Sequence, residues 1–126
     1  MLATGIDVIE IARIERVLAQ HGERFLERIF TPQELLKLHR RPSEVAARFA
    51  AKEAVAKTLG VGLRLLSPVG IRWHEVEILS TPSGRPTITL NGYAQSLAQS
   101  QHLSEWAISL THDGGLAIAS VVALGR

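Results

Sequence analysis

Apolar and polar positions alternate between two periods along this chain, and the change of period marks its elements. Leu2 to Ile9 is a short apolar run broken by one carboxylate, Asp7, and predicts a strand. Ile11, Ile14 and Leu18 then recur at i, i+3 and i+7, with Val17 adding to the same face. They predict an amphipathic helix from Glu10 to Gln20, stopped by Gly22, with Arg13, Arg16 and Gln20 on its polar side. Phe25, Leu26, Ile29 and Phe30 form a second apolar cluster. Thr31-Pro32-Gln33-Glu34 is a helix start: Thr31 can cap, Pro32 suits the first helical position and Glu34 completes a capping box. That helix is expected to end near Arg40-Arg41, before Pro42. Ser43 is the candidate cap of the next, which runs through Ala46, Phe49, Ala50 and Ala54 to Leu59 and Gly60.

The second half changes character. Ile71 to Leu79 predicts a strand, Thr81 to Pro86 a turn, and Thr87 to Leu90 the returning strand of a hairpin. Asn91 can cap a short helix through Ala98. Trp106 to Leu110 and Ala117 to Leu124 predict two more strands, joined by a tight turn at His112-Asp113-Gly114-Gly115. The order of strand, helices, hairpin, helix and hairpin predicts an α+β fold, an antiparallel sheet packed with helices. No repeat or linker interrupts it, so one domain is expected over residues 1–126. The stretch from Leu65 to Gly70 is the candidate mobile loop.

Composition narrows the chemistry. Hydrophobic residues make up 46% and aromatics only 5%, so the core must be built mainly from Ala, Leu, Ile and Val. There is no cysteine, which excludes disulfides, thiolate metal sites and a cysteine nucleophile, and suits a cytoplasmic protein. No apolar run approaches the roughly 20 residues needed to span a bilayer, and the first residues do not read as a signal peptide. A soluble intracellular protein is expected, without membrane or nucleic acid as partner. The net charge is only +2, but eleven of the fourteen cations are Arg, which suits bidentate contact with phosphate or carboxylate.

Several residues could carry chemistry. Asp7 lies in an apolar strand, where a carboxylate must be paired, metal-bound or used to cap the following helix. Glu53 shares a helical stripe with Ala46, Phe49, Ala50 and Lys57, so it is a candidate metal ligand or general base, or else one half of a Glu–Lys surface pair. Arg48 and Lys52, one turn apart on the other side of that helix, repel mildly, and Glu44 beside Arg48 is a sufficient counter-charge. His112, preceded by Ser109 and Thr111, could donate to a phosphate or move a proton, or be an exposed turn residue. No Walker loop, dinucleotide fingerprint, zinc helix or nucleophile elbow is present. Two separated carboxylates among cations suit a hard cation such as Mg²⁺ bridging a diphosphate.

Three segments together resemble the holo-acyl-carrier-protein synthase family of 4′-phosphopantetheinyl transferases. They are Gly5-Ile6-Asp7-Val8-Ile9-Glu10-Ile11 with Arg13-Ile14; Arg48-Phe49-Ala50-Ala51-Lys52-Glu53-Ala54 continuing to Lys57 and Gly60; and Ile108-Ser109-Leu110-Thr111-His112 with Ala117-Ile118-Ala119. Gly84-Arg85-Pro86 matches a weaker fourth feature. Ala3, Val61 and Leu116 depart from residues common in the family, and the Asp113-Gly114-Gly115 turn is richer in glycine.

The resemblance implies transfer of 4′-phosphopantetheine from coenzyme A to a serine of apo acyl carrier protein, releasing 3′,5′-ADP, in support of fatty acid biosynthesis. It implies Mg²⁺ on Asp7 and Glu53, with Glu53 also the candidate base. Lys57 would contact a coenzyme A phosphate. Arg48, Gly84, Arg85, Pro86, Ser109, Thr111 and His112 would hold the nucleotide end, His112 being a second candidate for proton transfer. Arg13, Arg16 and Phe25 would meet the carrier protein, and a homotrimer with sites between subunits is implied. Two rival expectations stay open: a Mg²⁺-dependent nucleotide hydrolase with water as nucleophile, and an inactive relative that binds coenzyme A or carrier protein without transfer.

Overall fold

The computed structural model describes residues 1–63 and 70–125, so the expected mobile loop from Leu65 to Gly70 lies outside the described residues, Gly70 apart. Two antiparallel sheets form. β1 (Leu2–Glu10), β4 (Glu105–Asp113) and β5 (Leu116–Leu124) make one, in the order β1-β5-β4; β2 (Val76–Ser80) and β3 (Pro86–Leu90) make the other. The helices are α1 (Ile11–His21), α2 (Glu23–Ile29), α3 (Pro32–Lys37), α4 (Pro42–Thr58) and α5 (Gly92–Ser100).

β5 is the middle strand of its sheet, with Asp7 opposite Ala119 on one side and Leu110 opposite Ala119 on the other. Alternation gives each strand one face toward α4. Ala117, Ala119, Val121 and Ala123 are fully buried there. Asp113 pairs with Leu116, so the β4–β5 connection is Gly114-Gly115 alone, both at positive φ (57° and 80°), the backbone that a two-residue hairpin turn demands. His112 is therefore a strand residue opposite Ala117, one step inside the turn where the sequence placed it.

α4 is the central element. Val45, Ala46, Ala47, Ala50, Ala51, Ala54, Val55 and Ala56 are all buried, so small side chains line it nearly all round. Small residues let strands approach closely, and Gly5 on β1 takes that furthest. A Cβ there would sit 2.2 Å from the Ala54 carbonyl oxygen and 2.4 Å from Thr58 Oγ1.

Lys52, read from the sequence as one half of a mild repulsion with Arg48, is wholly buried. All three donors of its ammonium are used. They reach Glu34 Oε1 (2.6 Å), the Ile29 carbonyl (2.8 Å) and the Trp73 carbonyl (3.1 Å), and the Phe30 ring lies 5.3 Å away. Glu34 completes the expected capping box with Thr31, and its Oε2 also accepts from the Ile78 backbone N–H at 2.8 Å. Burial pulls the Lys52 pKa below the usual lysine range, and Glu34 opposes that pull. One ion pair thus joins α2, α3, α4, β2 and the turn before β2.

Other boundaries differ from expectation for local reasons. α3 ends at Lys37 because Leu38 is extended and Arg40 takes φ 66°, while Glu44 captures the His39 N–H at 2.8 Å. Pro42 occupies the first position of α4 with Arg41 as its cap residue, so Ser43 is already inside the helix and does not cap it. Ile71 to Leu79 is not one strand. Trp73–Glu75 forms a 3₁₀ turn that buries Trp73, closed by Glu75 Oε1 accepting from the Arg72 N–H at 2.8 Å. The same carboxylate accepts from the Tyr93 N–H at 2.7 Å, so Glu75, not the Asn91 side chain, caps α5.

Removing one member of the buried pair strands the other in an apolar site. Lys52→Met should cost about 3–5 kcal/mol, read as a lower urea midpoint. Adding Glu34→Gln to that variant should recover part of the loss, because an amide oxygen still accepts backbone N–H groups without carrying charge.

Candidate active site

Two clusters of the sequence-selected residues form, on opposite sides of α4. The first joins β1 to the C-terminal half of α4. Gly5 lets β1 lie against the helix, which sets Asp7 beside Glu53 and Lys57. Lys57 Nζ donates to Asp7 Oδ1 at 2.9 Å and to the Ile6 carbonyl at 3.1 Å. Asp7 therefore does not cap α1, whose cap residue, Glu10, makes no side-chain capping bond. The Asp7 side chain is only 13% exposed, whereas that of Lys57 is 53% exposed, so the pair is anchored on the strand and open at the lysine.

Glu53 is half-buried. Burial chiefly, and then the Asp7 charge, pushes its carboxyl above the usual carboxylate range, against the pull of Lys57 and Arg13. The hydrogen bond to Asp7 holds the Lys57 ammonium above its ordinary value. Two carboxylates and two cations thus share one field. The sequence did not connect Arg13, on α1, with Glu53, because only the packing of α1 on α4 brings them near.

The donor set suits a hard cation. Asp7 and Glu53 supply carboxylate oxygens, and the Ile6 carbonyl and Asp7 Oδ1 already cradle a positive charge, the Lys57 ammonium. Among the described residues no third carboxylate, histidine or cysteine joins them, so phosphate oxygens and water would complete the shell.

The second cluster surrounds Arg48. Lys57 follows Arg48 by nine positions, which places them about 13.5 Å apart along the axis and on opposite helix faces. Arg48 lines a groove of about 470 Å³ with Gly84, Arg85, Pro86, Ile108, Ser109 and Leu110. Its Nη2 donates to Ser80 Oγ at 2.8 Å, and its Nη1 is buried with no hydrogen-bond partner. Burial lowers the Arg48 pKa from its ordinary value, against the attraction of Glu44 and Glu34. A half-desolvated guanidinium with an unused donor favours an anion. Arg48 also borders a second groove, of about 810 Å³, with Lys37, His39 and Arg41 at its edge.

Thr111 and His112 do not line the Arg48 groove, which stops at Leu110. They lie further along β4, opposite Ile118 and Ala117. Arg13 and Arg16 are exposed on α1. Phe25 is half-buried, its ring stacked on Phe49 at 6.0 Å, and Phe49 in turn lies 4.8 Å from Trp73.

The outer face of the three-stranded sheet is apolar and open. Leu2, Ile6 and Val8 of β1 are 52–65% exposed, and Leu116, Val122 and Leu124 of β5 are 38–40% exposed. Ser109 and Thr111 occupy outward positions on the same face.

The chain's relatives agree with one another. Residues 3–119 match the model of the 4′-phosphopantetheinyl transferase superfamily. A holo-[acyl-carrier-protein] synthase of Herpetosiphon aurantiacus is 42% identical, over 99% of this chain and 100% of its own. That of Salinispora arenicola is 44% identical, over 98% of each. The crystal structure of the Helicobacter pylori holo-[acyl-carrier-protein] synthase in complex with coenzyme A superposes with a TM-score of 0.82 at 33% identity, covering 96% of this chain and 99% of that one. The Neisseria meningitidis synthase gives 0.81 at 32% identity, covering 97% of each. The chain belongs to the holo-acyl-carrier-protein synthase family of 4′-phosphopantetheinyl transferases.

Proposed function

We propose that this enzyme transfers the 4′-phosphopantetheine arm of coenzyme A to a serine of an apo acyl carrier protein, releasing 3′,5′-ADP, in support of fatty acid biosynthesis. The observation that carries the reading is the convergence of Asp7, Glu53 and Lys57 at one junction of β1 and α4, the positions that match the family's reaction centre. The serine oxygen attacks the β-phosphorus of coenzyme A. A new P–O bond forms, the bond to the α-phosphate oxygen breaks, and 3′,5′-ADP leaves. Glu53 takes the serine proton, directly or through a metal-bound water. Asp7 and Glu53 would hold Mg²⁺, which when bound polarises the diphosphate and offsets developing charge. Lys57 adds a second positive charge on the phosphates.

Arg48, Gly84, Arg85, Pro86 and Ser109 hold the nucleotide end through the groove they line. Thr111 and His112 complete that end from β4. Since Arg48 and Lys57 face opposite ways on α4, one diphosphate nucleotide meets both clusters most simply between two copies. That arrangement, together with the exposed apolar face of the sheet, supports a homotrimer with shared sites. Arg13, whose charge Glu53 feels, and Arg16, exposed on the same helix, dock the acidic carrier protein with Phe25 and steer its approach. The chain lacks cysteine, which suits a reducing compartment. Among the described residues no helix is long and apolar enough to cross a membrane. On this reading it works in the cytoplasm.

Intact-mass spectrometry of apo acyl carrier protein with enzyme, coenzyme A and Mg²⁺ should show the gain of one phosphopantetheine group, and Glu53→Gln should abolish it. Release of 3′,5′-ADP without carrier protein would favour a hydrolase instead.

Glu53 also predicts a pH effect in metal-free buffer. Its folded pKa is raised, so the stability it contributes is full below the unfolded pKa and is lost as pH rises through the folded value. Glu53→Gln should therefore unfold at a higher temperature than wild type at neutral pH, and the difference should vanish below roughly pH 4.

Light scattering should give three chains per particle. Val122→Glu, at the middle of the apolar face, should dissociate them and remove activity with the folded circular-dichroism spectrum retained.

A further inference from the structure

Lys57 already occupies one carboxylate oxygen of Asp7 and the backbone carbonyl next to it. Its ammonium lies between Asp7 Oδ1 and the Ile6 carbonyl, at hydrogen-bond distance from both. A divalent cation on Asp7 competes with that ammonium, because like charges a few ångströms apart repel and Oδ1 already accepts a hydrogen bond. Asp7 and Glu53 also provide only two carboxylates, so a hard cation lacks part of its shell until phosphate oxygens arrive. Lys57 is free to move, since its side chain is half exposed on a four-carbon stem whereas Asp7 is fixed on a strand.

We propose that Lys57 is a counter-ion switch: it pairs with Asp7 in the free enzyme, keeps the bare cation out, and moves to the substrate diphosphate as the cation takes its place. This rests on the reading of Asp7 and Glu53 as metal ligands and goes beyond it. Cation and coenzyme A then bind as a coupled pair, each raising the affinity for the other by the same factor. The switch also runs backward after transfer. The β-phosphorus leaves with the pantetheine arm, and 3′,5′-ADP retains a single phosphate at that end. Lys57 then returns to Asp7, which loosens both the cation and the product.

Electron paramagnetic resonance of free Mn²⁺ tests this without turnover. Wild type, Lys57→Met and Asp7→Asn are titrated with Mn²⁺ alone, with coenzyme A, and with 3′,5′-ADP, corrected for Mn²⁺ held by each nucleotide in solution. Lys57→Met should bind Mn²⁺ alone roughly ten-fold tighter than wild type, within the usual span of site-to-site coupling. The tightening that coenzyme A produces in wild type should shrink by a similar factor in Lys57→Met and be much smaller with 3′,5′-ADP. If Asp7→Asn weakens Mn²⁺ binding but Lys57→Met binds it no tighter than wild type, the switch is wrong and the metal site stands. If Asp7→Asn leaves Mn²⁺ affinity unchanged, the metal-site reading falls and takes the switch with it.

Discussion

A buried ammonium in contact with one carboxylate governs how this chain is assembled. Lys52 is fully enclosed, and such a charge is tolerated only where every donor finds an acceptor. The requirement fixes four things at once: the carbonyl that ends α2, the capping carboxylate that begins α3, the middle of α4 and the carbonyl of Trp73. Through Glu34 Oε2 it also fixes the entry of β2. An apolar contact in the same place would bind as well but would accept sliding. The ion pair has one geometry, and a shift of α4 along its axis would break it.

That register matters because α4 carries chemistry on both flanks. Arg48 precedes Lys52 by one turn and Glu53 follows it directly. Pinning Lys52 therefore sets the angular position of the nucleotide-side guanidinium and of the Glu53 carboxyl together. Alanines complete the arrangement. With Ala50, Ala51 and Ala54 buried and no Cβ on Gly5, β1 comes close enough for Asp7 to meet a side chain of the helix.

Much of this was legible in the sequence where a signal is local. The i, i+3, i+7 spacing gave α1, Thr31 to Glu34 gave the capping box, and Asp113-Gly114 marked the last hairpin. Apolar neighbours made Asp7 and Glu53 conspicuous one at a time, with Lys57 a turn from Glu53, and only the family resemblance joined the three. What failed was long-range. Lys52 was read only against Arg48, one turn away, since nothing within a few residues names Glu34 as its partner. Glu34 had already been explained by its cap, and one carboxylate with two duties leaves a single trace. Glu75 capping α5 across 18 residues was hidden in the same way, and Asn91 took its place in the reading. His112 was put in the turn although Gly114-Gly115 suffice for the hairpin, a fact that only the register reveals.

The central position of β5 has a consequence for how the protein is made. β1 is made before the other described elements, yet among the described residues its ladder partner emerges between 106 and 122 residues later, with Glu10 against Leu116 and Leu2 against Leu124. Helices α1 to α4 can collapse early, but β1 waits without its hydrogen-bond ladder. Asp7 is delivered to Glu53 and Lys57 only when that wait ends. Without β5, β1 has no ladder to hold it against α4, so the setting of Asp7 beside Glu53 and Lys57 depends on residues 106 to 122 positions away.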